Sequence, residues 1–178
     1  MFVNGTVGVG KTTVGAAVAE ELAGAGESVA FVDLDRLSEL WPAPVDDRFN
    51  TRLAAKNLAC VAENAADAGA ESIVVAGVIQ GASDLTLYLE ALAAPLTVVR
   101  LVAPPAEIED RLRRRHPDHE REGLRWHLDR APELDAILDR SPVRTTQISC
   151  TGPPAQVARD VLHAVGWEAR PPRGDAPA

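Results

Sequence analysis

Five short apolar runs are spaced along the chain, at residues 2–4, 29–32, 72–79, 96–102 and 145–149. Most are rich in Val and Ile. Because the stretches between them are amphipathic and long enough for helical crossovers, the runs read as five strands of a mainly parallel sheet with helices on both faces. The predicted class is α/β.

The helical stretches have recognisable faces and stops. Val14, Val18 and Leu22 recur every four residues on one face of a helix that starts beside Lys11 and ends at Gly24 and Gly26. Residues 49–68 form an Ala-rich helix with Leu53, Leu58 and Val61 as its apolar members, closing at Gly69. A helix over 84–92 is stopped by Pro95, and another over 106–115 follows Pro104 and Pro105, with Glu107 facing Arg111 one turn on. The segment 113–127, RRRHPDHEREGLRWH, is dense in charge with one Pro and one Gly, and reads as a mobile crossing between helices rather than a core element. A last helix over 154–165 follows the fifth strand, and the tail RPPRGDAPA, 170–178, reads as disordered. The expected organisation is one domain over 1–169 with a small helical lid over 113–128.

Composition narrows the classes. A chain of 178 residues can bury a core without disulfides or metals. Its 18 basic and 26 acidic side chains leave a net charge of −8, which disfavours a nucleic acid held on a broad basic face but leaves room for a local phosphate site. No apolar run approaches a membrane span, and the start MFVNGTVGVGK lacks the features of a signal peptide, so a cytoplasmic location is expected. Cys60 and Cys150 lack metal or redox spacing and read as small buried hydrophobes. His116, His119, His127 and His163 form no zinc-binding pattern.

The sharpest chemical signal is Gly5-Thr6-Val7-Gly8-Val9-Gly10-Lys11-Thr12, a complete GxxxxGK[ST] between a strand and a helix, the context this phosphate-binding motif requires. Glycines at 5, 8 and 10 let the backbone turn successive N–H groups inward around a phosphate. The helix N-terminus, continuing into Thr13, adds partial positive charge; Lys11 would bridge the terminal phosphates and the Thr12 hydroxyl would hold Mg²⁺. The expected ligand is therefore ATP with Mg²⁺. The bland alternative is a Gly-rich turn capped by Thr.

The second strand ends in Val32-Asp33-Leu34-Asp35-Arg36-Leu37. In a parallel sheet this end shares an edge with the phosphate loop, so a carboxylate there can approach the terminal phosphate. Transfer to a hydroxyl needs a group that orients it and takes its proton, and one carboxylate suffices. Asp35 suits that role, with helix capping as the alternative; Asp33 suits capping, with Mg²⁺ binding through water as the alternative.

The phosphate loop together with VDLDRLSELWP resembles the small P-loop kinases, which include shikimate, gluconate and adenylylsulfate kinases. The run from Asp35 through Leu37 and Glu39 to Trp41-Pro42 is most similar to chloramphenicol phosphotransferase-like members. The resemblance implies a three-layer α/β/α P-loop fold and ATP-dependent transfer to a small-molecule hydroxyl, with Asp35 as general base. It also implies that Arg111 packs on the adenine and that Arg115, or Arg114, reaches the transferring phosphoryl group. The turn containing Thr151 and Gly152 would lie beside the adenine. Read from the residues alone, the same arginines are a solvated face neutralised by Glu107, Glu109 and Asp110, and the turn is an ordinary strand-to-helix connection. The chain departs from many P-loop ATPases in one respect: SIVVAGVIQG offers no acid on the third strand, which counts against a motor or AAA-type ATPase.

Trp41, Arg48, Phe49, Arg52 and Asn57 follow the candidate base, where an acceptor pocket would be walled. Trp41 would stack on a substrate and Arg48 and Arg52 would hold an anionic group, or else each belongs to core or surface. Two functions follow from the whole. The first is a small-molecule kinase without nucleic-acid or membrane partners. The second is a nucleotide-binding regulator, weakened because neither DxxG nor NKxD occurs after the later strands.

Overall fold

The computed structural model describes residues 1–116 and 120–167. The predicted tail, the C-terminal boundary at 169, and His119 with the neighbouring Pro117 of the lid lie outside the described residues. Five strands form one sheet: β1 (Phe2–Gly5), β2 (Val29–Asp33), β3 (Ser72–Ala76), β4 (Val98–Val102) and β5 (Thr146–Ser149). Their order is β2-β3-β1-β4-β5, and every pair is parallel. The fold is α/β as expected, and "mainly parallel" becomes wholly parallel.

Two apolar layers sandwich the sheet. On one face α1 (Lys11–Gly24) and α7 (Pro154–Ala164) pack Val14, Val18, Leu22, Val157 and Val161 against the sheet. On the other, α3 (Thr51–Asp67) and α4 (Ala82–Leu92) place Leu58, Tyr88 and Leu92 against Phe2, Val32 and Val75. Phe2 and Val3 lie on opposite faces of β1, and both are fully buried because this central strand has helices above and below. The chain turns from β1 into α1 at the C-terminal edge of the sheet. Register brings the end of β2 to that edge, since Asp33 lies opposite Ala76 and Ala76 opposite Val3.

The segment 113–127 is where the structure corrects the sequence reading. Helix α5 (Pro105–Arg115) ends within it, and from Arg121 onward it is the start of α6, a 20-residue helix reaching Arg140. Leu124, Leu128, Ala131, Leu134 and Leu138 form a stripe at three- and four-residue spacing, and the first three pack on Ile108 and Leu112 of α5. Dense charge on the other side of the helix hides that stripe in the sequence. Pro132 sits inside α6 and removes one helical hydrogen bond, so tertiary packing holds the helix across it.

Arg100 fastens α6 to the sheet. It lies on β4 with 3% of its surface exposed, and its guanidinium reaches Asp135 and Asp139 of α6, each at 2.8 Å. Cys150 is buried as expected, whereas Cys60 is exposed on α3 and fills no core position. Among the described residues no helix is long and apolar enough to cross a membrane, and no group of His, Cys, Asp and Glu forms a metal cluster.

Candidate active site

The phosphate loop is built by backbone. Gly5, Gly8 and Gly10 have φ of 146°, 77° and 110°, conformations that side-chain-bearing residues rarely adopt. At Gly8 there is no space either: a Cβ would stand 2.8 Å from Leu112 Cγ of α5. Gly10 is the N-cap of α1, so the first amides of that helix open onto the loop. Val9 is buried and Thr6 is 2% exposed, with its hydroxyl donating to the carbonyl of Ala131 on α6 at 2.6 Å. Those two side chains anchor the loop, leaving their backbone as the part that can meet a phosphate.

Lys11 folds back so that Nζ donates to the Thr6 carbonyl at 3.0 Å. Burial lowers its pKa, opposed by the carboxylates of Asp35 and Asp33 and reinforced by Arg115. Phosphate oxygens would supply counter-charge in the same place. The loop, Thr12, Thr13 and Arg115 line a cavity of about 590 Å³, large enough for a nucleotide's phosphates.

The two aspartates separate cleanly. Asp33 caps α2 (Leu34–Leu37): its Oδ1 accepts from the Asp35 N–H at 3.1 Å, and its Oδ2 accepts from the Thr12 hydroxyl at 3.0 Å. Capping and proximity to Thr12 therefore coexist in one carboxylate. Thr12 and Asp33 form a pair of oxygen donors, the ligand type Mg²⁺ prefers, so the residues fit that ion. Asp35 is not the cap. Its exposed side chain lines the loop cavity and also a second cavity of about 280 Å³, between α2, α3, α4 and α6. Among the described residues, Val7, Lys11, Asp35 and His127 are common to both cavity walls.

Arg111 is a clasp. Its guanidinium donates to the Val9 carbonyl at 2.7 Å, the Cys150 carbonyl at 2.6 Å and Glu107 Oε1 at 2.7 Å. It thereby ties the phosphate loop to the turn after β5, and it lines the loop cavity while doing so. Arg115 is exposed along that cavity, whereas Arg113 pairs with Glu109 and Arg114 bonds the Asp110 carbonyl on the outer surface. Thr151 and Gly152 are exposed in the turn, and the Thr151 hydroxyl sits 3.2 Å from that of Ser149; neither residue lines the two cavities.

The expected acceptor wall divides. Phe49 lines the second cavity, and Asn57 Nδ2 donates to the Leu37 carbonyl at 2.8 Å, holding the end of α2. Trp41 is 78% exposed, Arg48 lies over the Phe49 ring, and Arg52 pairs with Asp46 at 2.7 Å. None of these three reaches either cavity wall. Trp41 and Arg48 lie on the exposed connection between α2 and α3, and Arg52, in the first turn of α3, turns back to that connection to pair with Asp46.

Sequence reasoning missed the rest of the second cavity: Gln80, Asp84, Tyr88, Trp126, His127 and Arg130. His127 Nδ1 lies 2.7 Å from the Gly123 carbonyl, which requires the proton on Nδ1 and leaves Nε2 an acceptor. Burial lowers its pKa, with His116 and Arg115 adding to the shift and the Gly123 carbonyl and Asp35 opposing it. The one available signal was the 3–4 spacing of leucines in α6, which would have placed His127 and Arg130 on one side of a helix near the loop. Nothing local marks Asp84 or Tyr88.

Comparison with known proteins decides the family. A family model described as an AAA domain matches residues 1–127, well over half the chain. The chain belongs to this AAA-domain family. In this chain β3 carries no acid, and the carboxylate beside Thr12 comes from the end of β2. Among solved structures, a gluconokinase from Sinorhizobium meliloti superposes with TM-score 0.62 at 25% identity, covering 94% of this chain and 91% of its own. The tunicamycin resistance protein of Deinococcus radiodurans gives 0.60 at 19% identity, covering 97% and 98%. The APS kinase of Mycobacterium tuberculosis, in complex with AMPPNP and APS, gives 0.58 at 23% identity, covering 93% and 96%. The fold is that of the small P-loop kinases. No curated protein matches the chain in sequence.

Proposed function

We propose that this protein is an ATP-dependent phosphotransferase that moves the γ-phosphoryl group of ATP to a hydroxyl of a small molecule, with Asp35 as general base. The observation that carries the reading is that Asp35 and Lys11 stand on the shared wall of two cavities, one formed by the phosphate loop and one of acceptor size. A nucleotide switch has no use for the second. The kinase neighbours support the same reading, and AMPPNP in the APS kinase complex supports ATP as donor.

In the proposed step the acceptor oxygen attacks the γ-phosphorus while the bond from that phosphorus to the β,γ-bridging oxygen breaks, releasing ADP. The hydroxyl proton passes to the Asp35 carboxylate and then to solvent. Lys11 and Arg115 offset charge on the phosphoryl oxygens, and loop amides from Gly5 to Thr13 hold the phosphates. Mg²⁺, held by Thr12 with Asp33 behind it, would neutralise phosphate charge. Arg111 and the turn at Thr151 and Gly152 flank the nucleoside end. One kinase domain over 1–169, with the lid over 113–128, belongs to the same proposal.

Asp35→Asn tests the assignment. It keeps the shape of the site and removes the base, so phosphate transfer should fall by ~10²–10⁴-fold while MgATP still raises the melting temperature. Full activity in that variant would show that another group takes the proton.

A further inference from the structure

If the second cavity holds the acceptor, its walls also say what kind of molecule fits. Asp84 and Tyr88 stand one turn apart on α4 and both line it. Tyr88 is 3% exposed, its ring packs on Phe2 at 5.4 Å, and its hydroxyl has no hydrogen-bond partner among the described residues. A buried phenol that lines the cavity and lacks an internal partner has its O–H available to an occupant. Burial, with Asp84, Asp47 and Asp35 nearby, keeps that hydroxyl protonated.

Asp84 is half-buried and faces no cation. Its Oδ2 accepts from the Gln80 N–H at 2.8 Å, and no ion pair reaches it among the described residues. Burial raises its pKa, the Gln80 bond opposes this, and Asp47 adds to it. Two cations line the cavity, and both are committed. Lys11 belongs to the phosphate loop, and Arg130 pairs with Glu133 at 2.8 Å, donates to Gln80 Oε1 at 3.1 Å and lies over the Phe49 ring. An anionic acceptor would meet Asp35 and Asp84 with no free guanidinium to answer it. A protonated amine would meet an unpaired carboxylate and aromatic walls, both of which favour it.

We infer that the acceptor is an amino alcohol: its ammonium rests on Asp84, a further polar group meets the Tyr88 hydroxyl, and the hydroxyl to be phosphorylated faces Asp35. This rests on the kinase reading and narrows it.

The test measures transfer from radiolabelled MgATP to matched sets: amino alcohols including glucosamine, each beside its N-acetyl and deaminated counterparts, and a hydroxy acid such as gluconate. For at least one amino alcohol, kcat/KM should exceed that of its N-acetyl counterpart by about tenfold or more. Asp84→Asn should erase that preference by raising KM for the amine and not for its neutral counterpart. The variant retains an acceptor for the Gln80 N–H and loses a half-buried charge, so it should melt no lower than the wild type. Tyr88→Phe, which keeps the ring packed on Phe2, should raise KM for the amine and its counterparts alike. Transfer to neutral or acidic compounds but to no amino alcohol, or a preference that survives Asp84→Asn, overturns the inference and leaves the kinase reading standing. No transfer to any compound, with no melting shift from MgATP, overturns both.

Discussion

The two cavities that meet at Asp35 differ in how their key groups are placed. In the phosphate cavity the candidate phosphate ligands lie in one contiguous segment, residues 7–13, whose backbone is shaped by glycines, while α2, α5 and α6 supply the rest of the wall. The neighbouring cavity is assembled from side chains on α2, α3, α4 and α6, separated by as much as 100 residues between Leu34 and Leu134. The loop's glycines set its backbone locally, and Thr6 and Arg111 fasten it to α6 and to the turn after β5. A side-chain site is only as well placed as the helices that carry it, and here the most distant of those, α6, is tied to the sheet by Arg100.

That contrast predicts where damage should fall, and the largest effect should come from cutting the tie. Replacing Asp135 and Asp139 together by Ala leaves the buried Arg100 guanidinium without a carboxylate partner and should cost about 3–5 kcal/mol of stability, read by denaturant unfolding. The acceptor's KM should rise more than that of MgATP, and equal losses would break the distinction between the cavities. Lys11→Met, on the shared wall, should lower phosphate transfer by ~10²–10³-fold with the fold intact. A smaller but more selective lesion is Gly8→Ala. Positive φ and the approach to Leu112 should together cost ~1–3 kcal/mol and weaken MgATP binding, measured by calorimetry, while leaving the α4 face of the acceptor cavity in place.

The smallest effect concerns pH. The pKa of His127 is depressed in the fold, so the unfolded chain takes up its proton first as the solution is acidified. Its contribution to stability is complete above the ordinary histidine value near 6.5 and is lost as pH falls through the lower folded value. Arg115 and His116 oppose its protonation, and Asp35 favours it. Melting temperature should therefore decline below neutral pH, and His127→Asn should flatten the decline. An unchanged slope would mean that His127 is already solvated and charged in the fold.

Much of this molecule is legible in local sequence. The alternation of apolar runs with amphipathic stretches, the GxxxxGK[ST] segment and the acid at the end of the second strand are local patterns, written in neighbouring residues and enforced by backbone stereochemistry and helix period. They determined the α/β class, the strand positions, the phosphate loop and Asp35. Tertiary structure alone decided that Trp41 and Arg52 point to solvent, that Arg111 clasps two loops, and that 113–127 splits between α5 and α6. It also decided that Asp84 and Tyr88 share a cavity with His127. These depend on which helices the burial of apolar stripes brings together, a balance struck across the whole chain, so no short window of sequence contains it.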